Sequence, residues 1–216
     1  MKALNIVHKV QVKLLLLIVI AICATINANS QDKIWEHNIY LSVGKYIGTG
    51  TSENRIDKNY TVEGLTLKLG YGLNRYFTES FSVMSGLAIH CDIESAFENY
   101  EGGDEDCFSF IDIPVTAQYH IALDCGKLLL GFGPVFGFCI DRDKYYYDAD
   151  PGHPLNDKSK IKPFNLSLMP CIAYETKHIR FGIDGSLGVL DVQDTHGLIT
   201  DSKHLHNVCA TIGVKF

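Results

Sequence analysis

The stretch that decides the fold is FIDIPVTAQYHIAL, residues 110–123, in which apolar and polar side chains alternate. One set of alternate positions is apolar throughout: Ile111, Ile113, Val115, Ala117, Tyr119 and Ile121. The other set is Asp112, Pro114, Thr116, Gln118 and His120. Strict alternation over this length predicts a β-strand with one apolar and one polar face. Because proline cannot donate to a strand ladder, Pro114 predicts a bulge or bend.

The same period of two recurs in seven other segments of the chain. They are HNIYLSVGKYIG (37–48), GLTLKLGYGLN (64–74), FSVMSGLAIHCD (81–92), LLLGFGPVFGFCI (128–140), FNLSLMPCIAYE (164–175), IRFGIDGSLGVL (179–190) and HNVCATIGVKF (206–216). The links between them alternate between short (75–79, 124–127, 176–178) and long (48–59, 93–106, 141–163, 191–203). Eight strands with this alternation predict an all-β fold, an eight-stranded antiparallel up-and-down transmembrane β-barrel.

Two barrels fit this pattern, and they differ in which face points outward. In a soluble lipocalin-like carrier the apolar face lines a ligand cavity, whereas in an outer-membrane barrel it meets lipid. The polar faces carry both signs of charge together with many glycines, which suits a narrow lumen filled by side chains. We therefore expect the apolar face outside. Asp112 and His120 then face the lumen, with Lys68, Arg180 and Lys215 as partner cations.

Aromatic residues predict a belt at each edge of the apolar band, as in membrane barrels. The belt near the short links is Tyr71, Phe81, Tyr119, Tyr174, Phe181 and Phe216. The belt near the long links is Phe97, Phe108, Phe138, Tyr145, Tyr146 and Tyr147.

The first thirty residues have the pattern of an export signal. Lysines precede an apolar run from Leu14 to Ala24, and small residues follow at Ala28 and Ser30. Cleavage after Ser30 predicts a signal peptide over 1–30 and one β-barrel domain over 31–216. The net charge of −6 becomes −9 when the three signal lysines are removed. A chain this acidic is a poor nucleic-acid partner.

Two groups of residues in the sequence are candidates for metal sites. A calcium site would use Asp148, Asp150 and Asp157, but the loop departs from an EF-hand and is better read as solvated. His196, His204 and His206 lie close in sequence and are the residue type that binds zinc or copper. The pattern is thin, so we expect no metal and no cofactor.

A lipid-modifying activity would need a serine beside a histidine. Ser85 with His90, or Ser202 with His204, has the required residue types. Sequence spacing fixes no orienting acid for either pair. We therefore expect no catalytic residue and no enzymatic activity, with a lipid-modifying enzyme as the alternative.

Six cysteines follow the signal, and two pairs bracket long links. Cys91 with Cys107, and Cys139 with Cys171, are candidates for cross-strand disulfides in an oxidising compartment. The alternative is that they act as small unpaired apolar residues.

The terminal ATIGVKF (210–216), the IDIPVTAQY strand (111–119), SVMSGLAI (82–89) and GFGPVFGF (131–138) resemble one known family. It is the porin-like "outer membrane protein beta-barrel" family of small barrels common in Bacteroidetes. The resemblance covers the mature chain and implies localisation in the outer membrane. It also implies contact with membrane lipid and lipopolysaccharide, and a scaffold or a binding and adhesion surface made by four long outer loops. An unidentified protein partner at those loops or at the inner turns is compatible with it. The family's motifs carry no catalytic, cofactor or metal residues.

Overall fold

The computed structural model describes residues 34–51, 59–94, 106–141, 160–194 and 202–216. The strands are β1 Trp35–Thr51, β2 Asn59–Thr78, β3 Phe81–Glu94, β4 Asp106–Leu123, β5 Gly126–Asp141, β6 Lys160–Ile161, β7 Phe164–Glu175, β8 Ile179–Gly188, β9 Gln193–Asp194 and β10 Ser202–Lys215. No helix long and apolar enough to cross a bilayer occurs among these residues.

Eight of the strands close into an antiparallel barrel in the order β1-β2-β3-β4-β5-β7-β8-β10, and β10 pairs back onto β1. The predicted up-and-down barrel is therefore confirmed. Following paired positions once around the wall leads from His37 to Ile47, ten residues further along β1. Such a stagger tilts the strands by about 40° from the barrel axis.

Two short elements lie outside the predicted pattern. β6 and β9 form a separate two-stranded sheet in which Lys160 pairs with Asp194 and Ile161 with Gln193. Both lie in the links 141–163 and 191–203, where the sequence predicted polar loops and no strand. They bring the chain before β7 together with the chain after β8 at the long-link end of the barrel.

Burial along the strands is inverted relative to a soluble protein. In β4 the apolar Ile111 and Tyr119 are 39% and 54% exposed, while Asp112 and Gln118 are 5% and 0% exposed. The same inversion holds in the other barrel strands, where large apolar side chains are exposed and polar ones are buried. The predicted outward direction of the apolar face is confirmed.

Of the bulge or bend predicted at Pro114, the bulge is wrong. Ser85 pairs with Val115 and Ala88 with Asp112, so the β3–β4 register is unchanged across the proline. The irregularity in β4 falls between Ser109 and Phe110 instead. Pro114 is buried in the interior. It has no backbone N–H, and the β3–β4 pairing is interrupted at this point without an extra residue in either strand.

The aromatic belts are found in part. At the short-link end Phe81, Tyr119 and Phe181 are exposed, and at the other end the rings of Phe138 and Phe164 lie 5.5 Å apart on the outside. Phe108 was predicted in the belt near the long links. It is buried and points into the barrel, so that assignment is wrong. Phe97 and Tyr145 to Tyr147 lie outside the described residues.

Candidate functional site

The barrel interior is filled by layers of charged and polar side chains. Near mid-height Lys68 Nζ lies 3.2 Å from Asp184 Oδ1, and both side chains are buried. Ser42 Oγ donates to Asp184 Oδ2 at 3.4 Å, and the Thr211 hydroxyl donates to the same oxygen. A buried carboxylate that holds one cation and two hydroxyls is well satisfied, as burial of charge requires.

A second layer lies nearer the long-link end and centres on His90. Its Nδ1 is 2.6 Å from Asp112 Oδ2 and its Nε2 is 3.5 Å from Asp92 Oδ2. Thr66 donates to Asp92 at 2.5 Å, and the His90 ring stacks on Phe110 with centroids 4.8 Å apart. The ion pair that Asp112 makes here is with His90, and Lys68 pairs with Asp184, so the predicted Asp112 partners are corrected.

A third layer lies near the short-link end and centres on the buried Glu175. Its carboxylate is 3.3 Å from Arg180 Nε and 3.4 Å from Lys215 Nζ, and Lys215 also contacts Glu36 at 3.3 Å. His120 Nδ1 lies 3.3 Å from Glu175 Oε2. Arg180 and Lys215 were predicted as cationic partners of Asp112 and His120. In the structure both cations contact Glu175, and Glu175 contacts His120, a neighbour that the sequence did not predict.

His120 also makes a short contact on its other side. Its Nε2 lies 2.7 Å from Ser82 Oγ, and the Ser82 side chain is fully buried. Ser82 comes from β3, His120 from β4 and Glu175 from β7, and alternation points all three inward. The Ser82 hydroxyl and the His120 ring share a hydrogen bond, whereas the His120 ring and the Glu175 carboxylate lie within ion-pair distance without hydrogen-bond geometry.

This third layer forms the floor of an open vestibule at the short-link end. The vestibule has a volume of about 810 Å³, and its lining includes Tyr76, His120, Glu175 and Lys215. Above the floor the barrel holds a smaller cavity of about 40 Å³ lined by Tyr40, Met84 and other side chains. That volume fits about three water molecules.

The long-link end of the interior is closed by an apolar cluster. Its buried members are Tyr46, Phe108, Phe110, Cys139, Val192 and Leu205. Val192 enters from the chain after β8, and its N–H donates to Lys203 O at 2.8 Å while its carbonyl accepts from Lys162 N at 2.7 Å. Lys203 Nζ lies 4.7 Å from the Phe108 ring centroid. We call this the outer plug.

The histidines weighed as metal ligands sit on the outside of β10. Gly188 N donates to His206 Nδ1 at 3.2 Å, and His206 Nε2 lies 3.0 Å from Thr49 Oγ1, so both ring nitrogens are engaged. His204 stacks on His206 with centroids 6.4 Å apart. His196 and the three loop aspartates lie outside the described residues. Within the described part of the chain no group of three metal-ligating side chains is assembled.

Of the two serine–histidine pairs that the sequence offers, Ser85 and His90 do not face each other in the structure. Ser85 and His90 lie on opposite faces of β3, because five residues separate them in an alternating strand. Ser202 Oγ lies 2.9 Å from Thr51 Oγ1 at the outer end of the β1–β10 pair. The pair that does meet, Ser82 and His120, is 38 residues apart in sequence, and strand register alone brings it together.

The cysteine pairs have different outcomes. Cys171 is paired with Gly131, which precedes Cys139 by eight residues along β5, or about 26 Å of strand. A disulfide requires Cα atoms within about 7 Å, so the Cys139–Cys171 bridge is wrong. Cys91 is paired with Ser109 and lies diagonally from Cys107. The Cys107 side chain lies outside the described residues, and that bridge stays a prediction.

No protein-family model and no curated protein matches the chain. Among solved structures it is similar to Neisserial surface protein A (NspA), with 12% identity over 82% of this chain and 97% of that chain and a TM-score of 0.46. It is also similar to outer membrane protein AlkL, with 11% identity over 88% and 93% and a TM-score of 0.47. Ail, the attachment invasion locus protein of Yersinia pestis, gives 14% identity over 83% and 98% and a TM-score of 0.36. The fold assignment rests on the strand pairing itself.

Proposed function

We propose that the protein is an outer-membrane β-barrel that acts as a scaffold and displays its long connections as a binding or adhesion surface. The observation that carries this proposal is the inverted burial of the barrel wall. From Ile111 to Leu123 every outward position of β4 is apolar, a length of about 40 Å along the strand. At a tilt of about 40° this spans roughly 30 Å, the thickness of the hydrocarbon core.

The interior argues against the soluble carrier. A lipocalin-like barrel binds its ligand in a cavity lined by apolar side chains. Here the described interior is packed with ion pairs such as Lys68–Asp184 and His90–Asp112, and the apolar side chains face outward. Exposing that much apolar wall to water would be unfavourable, and contact with lipid removes the cost.

The two ends of the barrel support different roles. The short-link end holds tight turns, such as Glu79–Ser80 between β2 and β3, and the chain termini of the barrel meet there. The opposite end carries the four connections 52–58, 95–105, 142–159 and 195–201, which lie outside the described residues. Two of them are rich in acidic and aromatic residues. We place these connections outside the cell, next to lipopolysaccharide, and the short turns in the periplasm.

Membrane fractionation combined with gel mobility tests the location. We expect the protein to sediment with the outer membrane and to change its mobility on boiling, because a folded barrel resists detergent until it is heated. Recovery in the soluble fraction with unchanged mobility would contradict the proposal.

A loop replacement tests the surface role separately. Cells displaying the full chain are compared with cells whose 142–159 connection is replaced by a short Gly-Ser linker. We expect the variant barrel to keep its heat-dependent mobility while retention of the cells on protein-coated surfaces falls. Equal retention would remove the adhesion role for that connection and leave the barrel assignment intact.

A further inference from the structure

The line of Ser82, His120 and Glu175 has the connectivity of a nucleophile, a base and an orienting acid. Ser82 Oγ lies 2.7 Å from His120 Nε2, and His120 Nδ1 lies 3.3 Å from Glu175 Oε2. The Nδ1–carboxylate contact lacks hydrogen-bond geometry as it stands. A small rotation of the ring that completes it would hold a proton on Nδ1 and leave Nε2 free to accept the hydroxyl proton. That is the tautomer a general base requires.

We propose that Ser82, His120 and Glu175 form an acyl-transfer site that cleaves carboxylic esters admitted through the vestibule. Ser82 is the nucleophile, His120 the general base, and Glu175 a positioning residue that acts through His120. This activity is independent of the surface role proposed above, because it lies at the opposite end of the barrel. It also reverses the expectation, drawn from the sequence, that no catalytic residue is present.

A buried amide in a diagonal position across β2–β3 from Ser82 is a candidate for the second part of such a site. Asn74 pairs with Met84 across β2–β3, which makes it a diagonal neighbour of Ser82. Its side chain is 1% exposed, and neither amide atom has a hydrogen-bond partner among the described residues. An unpartnered buried amide is costly. Its N–H groups are suited to stabilising the oxyanion that forms when a hydroxyl attacks an ester.

The vestibule provides the route to this line of residues. It reaches His120 and Glu175, whereas the Ser82 hydroxyl is covered. Tyr76 lines the vestibule, neighbours Ser82 across β2–β3, and packs its ring 5.1 Å from the His120 ring. We therefore assign Tyr76 as the side chain that swings aside for the substrate.

The lining of the vestibule sets the substrate class. Trp35, Phe77 and Phe216 line it together with Lys127 and Lys215. By strand alternation these three aromatic side chains lie on the outward face, so they border the mouth of the vestibule on its lipid side. We expect an ester with an apolar acyl or aryl group to approach past them. A volume of about 810 Å³ is within the range of small-molecule sites.

Ser82 Oγ forms a bond to the ester carbonyl carbon, and its proton passes to His120 Nε2. The carbonyl π electrons move to oxygen, and collapse of this tetrahedral species breaks the ester C–O bond. The leaving alkoxide takes the proton from His120, which releases an alcohol. Water then attacks acyl-Ser82 in the same way, giving a carboxylic acid and the free serine.

A fluorophosphonate probe on the folded full chain in detergent micelles tests this site. Attack by the serine oxygen on phosphorus expels fluoride and leaves a stable adduct. We expect one adduct on the wild-type chain, mapped by mass spectrometry to Ser82. Ser82→Ala abolishes it, and His120→Gln slows it by about a hundredfold or more. Ser42→Ala, which removes another fully buried interior serine, keeps the wild-type rate.

Three further variants keep the proposal falsifiable if the first ones do not fold. Tyr76→Ala should label faster than the wild type because it opens the path. Glu175→Gln should slow labelling and Glu175→Asp should restore part of it, which a merely structural role would not do. The proposal is overturned if neither wild type nor Tyr76→Ala is labelled. An adduct at another residue, or wild-type labelling in His120→Gln, overturns it as well.

Discussion

Lys68 and Asp184 are 116 residues apart in the sequence, yet their charged atoms lie 3.2 Å apart inside the barrel. Both side chains are buried, and Asp184 also accepts from Ser42 and Thr211. The pair joins β2 to β8 across the lumen, so it connects strands that are not neighbours in the wall. Contacts of this kind determine how the interior packs, and they lead to the first of four predictions.

Removing one partner of this pair should destabilise the barrel strongly. Lys68→Met leaves the Asp184 charge buried without its cation, which costs about 3–5 kcal/mol in the free energy of unfolding. Lys68→Met combined with Asp184→Asn should cost less than the sum of the two single changes. Urea titration in lipid vesicles measures these values. The control is Lys45→Met, which breaks the exposed Lys45–Glu63 pair and should cost less than about 1 kcal/mol. Equal losses from the two single lysine variants would contradict the prediction.

The outward face should reject charge according to depth. Ile183 is 55% exposed near the middle of the wall. Ile183→Arg should destabilise the barrel in vesicles, reducing its free energy of unfolding by about 2–4 kcal/mol. Thr51→Arg, at the outer end of β1, should cost at most about 1 kcal/mol. Tolerance of arginine at both positions would mean that this wall does not face lipid.

The same small change should be costly at one glycine and nearly neutral at another. A Cβ on Gly86 would sit 2.0 Å from the Tyr71 carbonyl oxygen, so Gly86→Ala forces backbone movement and should cost about 1–3 kcal/mol. A Cβ on Gly185 meets nothing closer than Asn207 O at 3.3 Å. Gly185→Ala should therefore stay within about 0.5 kcal/mol of the wild type. Thermal unfolding followed by gel mobility compares the two variants.

The barrel should not conduct ions steadily. Eight strands leave a lumen just wide enough for side chains to fill, and here the outer plug closes one end above the layers of ion pairs. Planar-bilayer recordings are expected to show no stable conductance. Steady channels of nanosiemens size would show that the plug and the layers beneath it open.

The strands and the direction of their faces could be predicted because both are local properties. In a segment such as 110–123 the alternation of apolar and polar residues is visible in the sequence itself, and the mixed charges on its polar side indicate a filled lumen. The same alternation, continued back to Phe108, predicts that this ring points into the barrel, as it does in the structure.

The partners inside the lumen could not be predicted because they depend on register between distant strands. Asp112 meets His90, and His120 meets Ser82 and Glu175, through pairings that no local pattern encodes. Val192 packs into the outer plug from a link that reads as a polar loop, and the few apolar residues of that link show no period of two.

The seam between β1 and β10 has a consequence for how the barrel is assembled. The two strands pair from Asn38–Lys215 to Thr51–Ser202, and His37 and Phe216 exchange two backbone hydrogen bonds of 3.0 and 3.1 Å. Until β10 is in place, β1 and β8 are both open edges able to pair with other chains. The ring is thus complete only when the last strand is delivered. A chain stopped short of it would be an open seven-stranded sheet with two unpaired edges, which favours association with other chains.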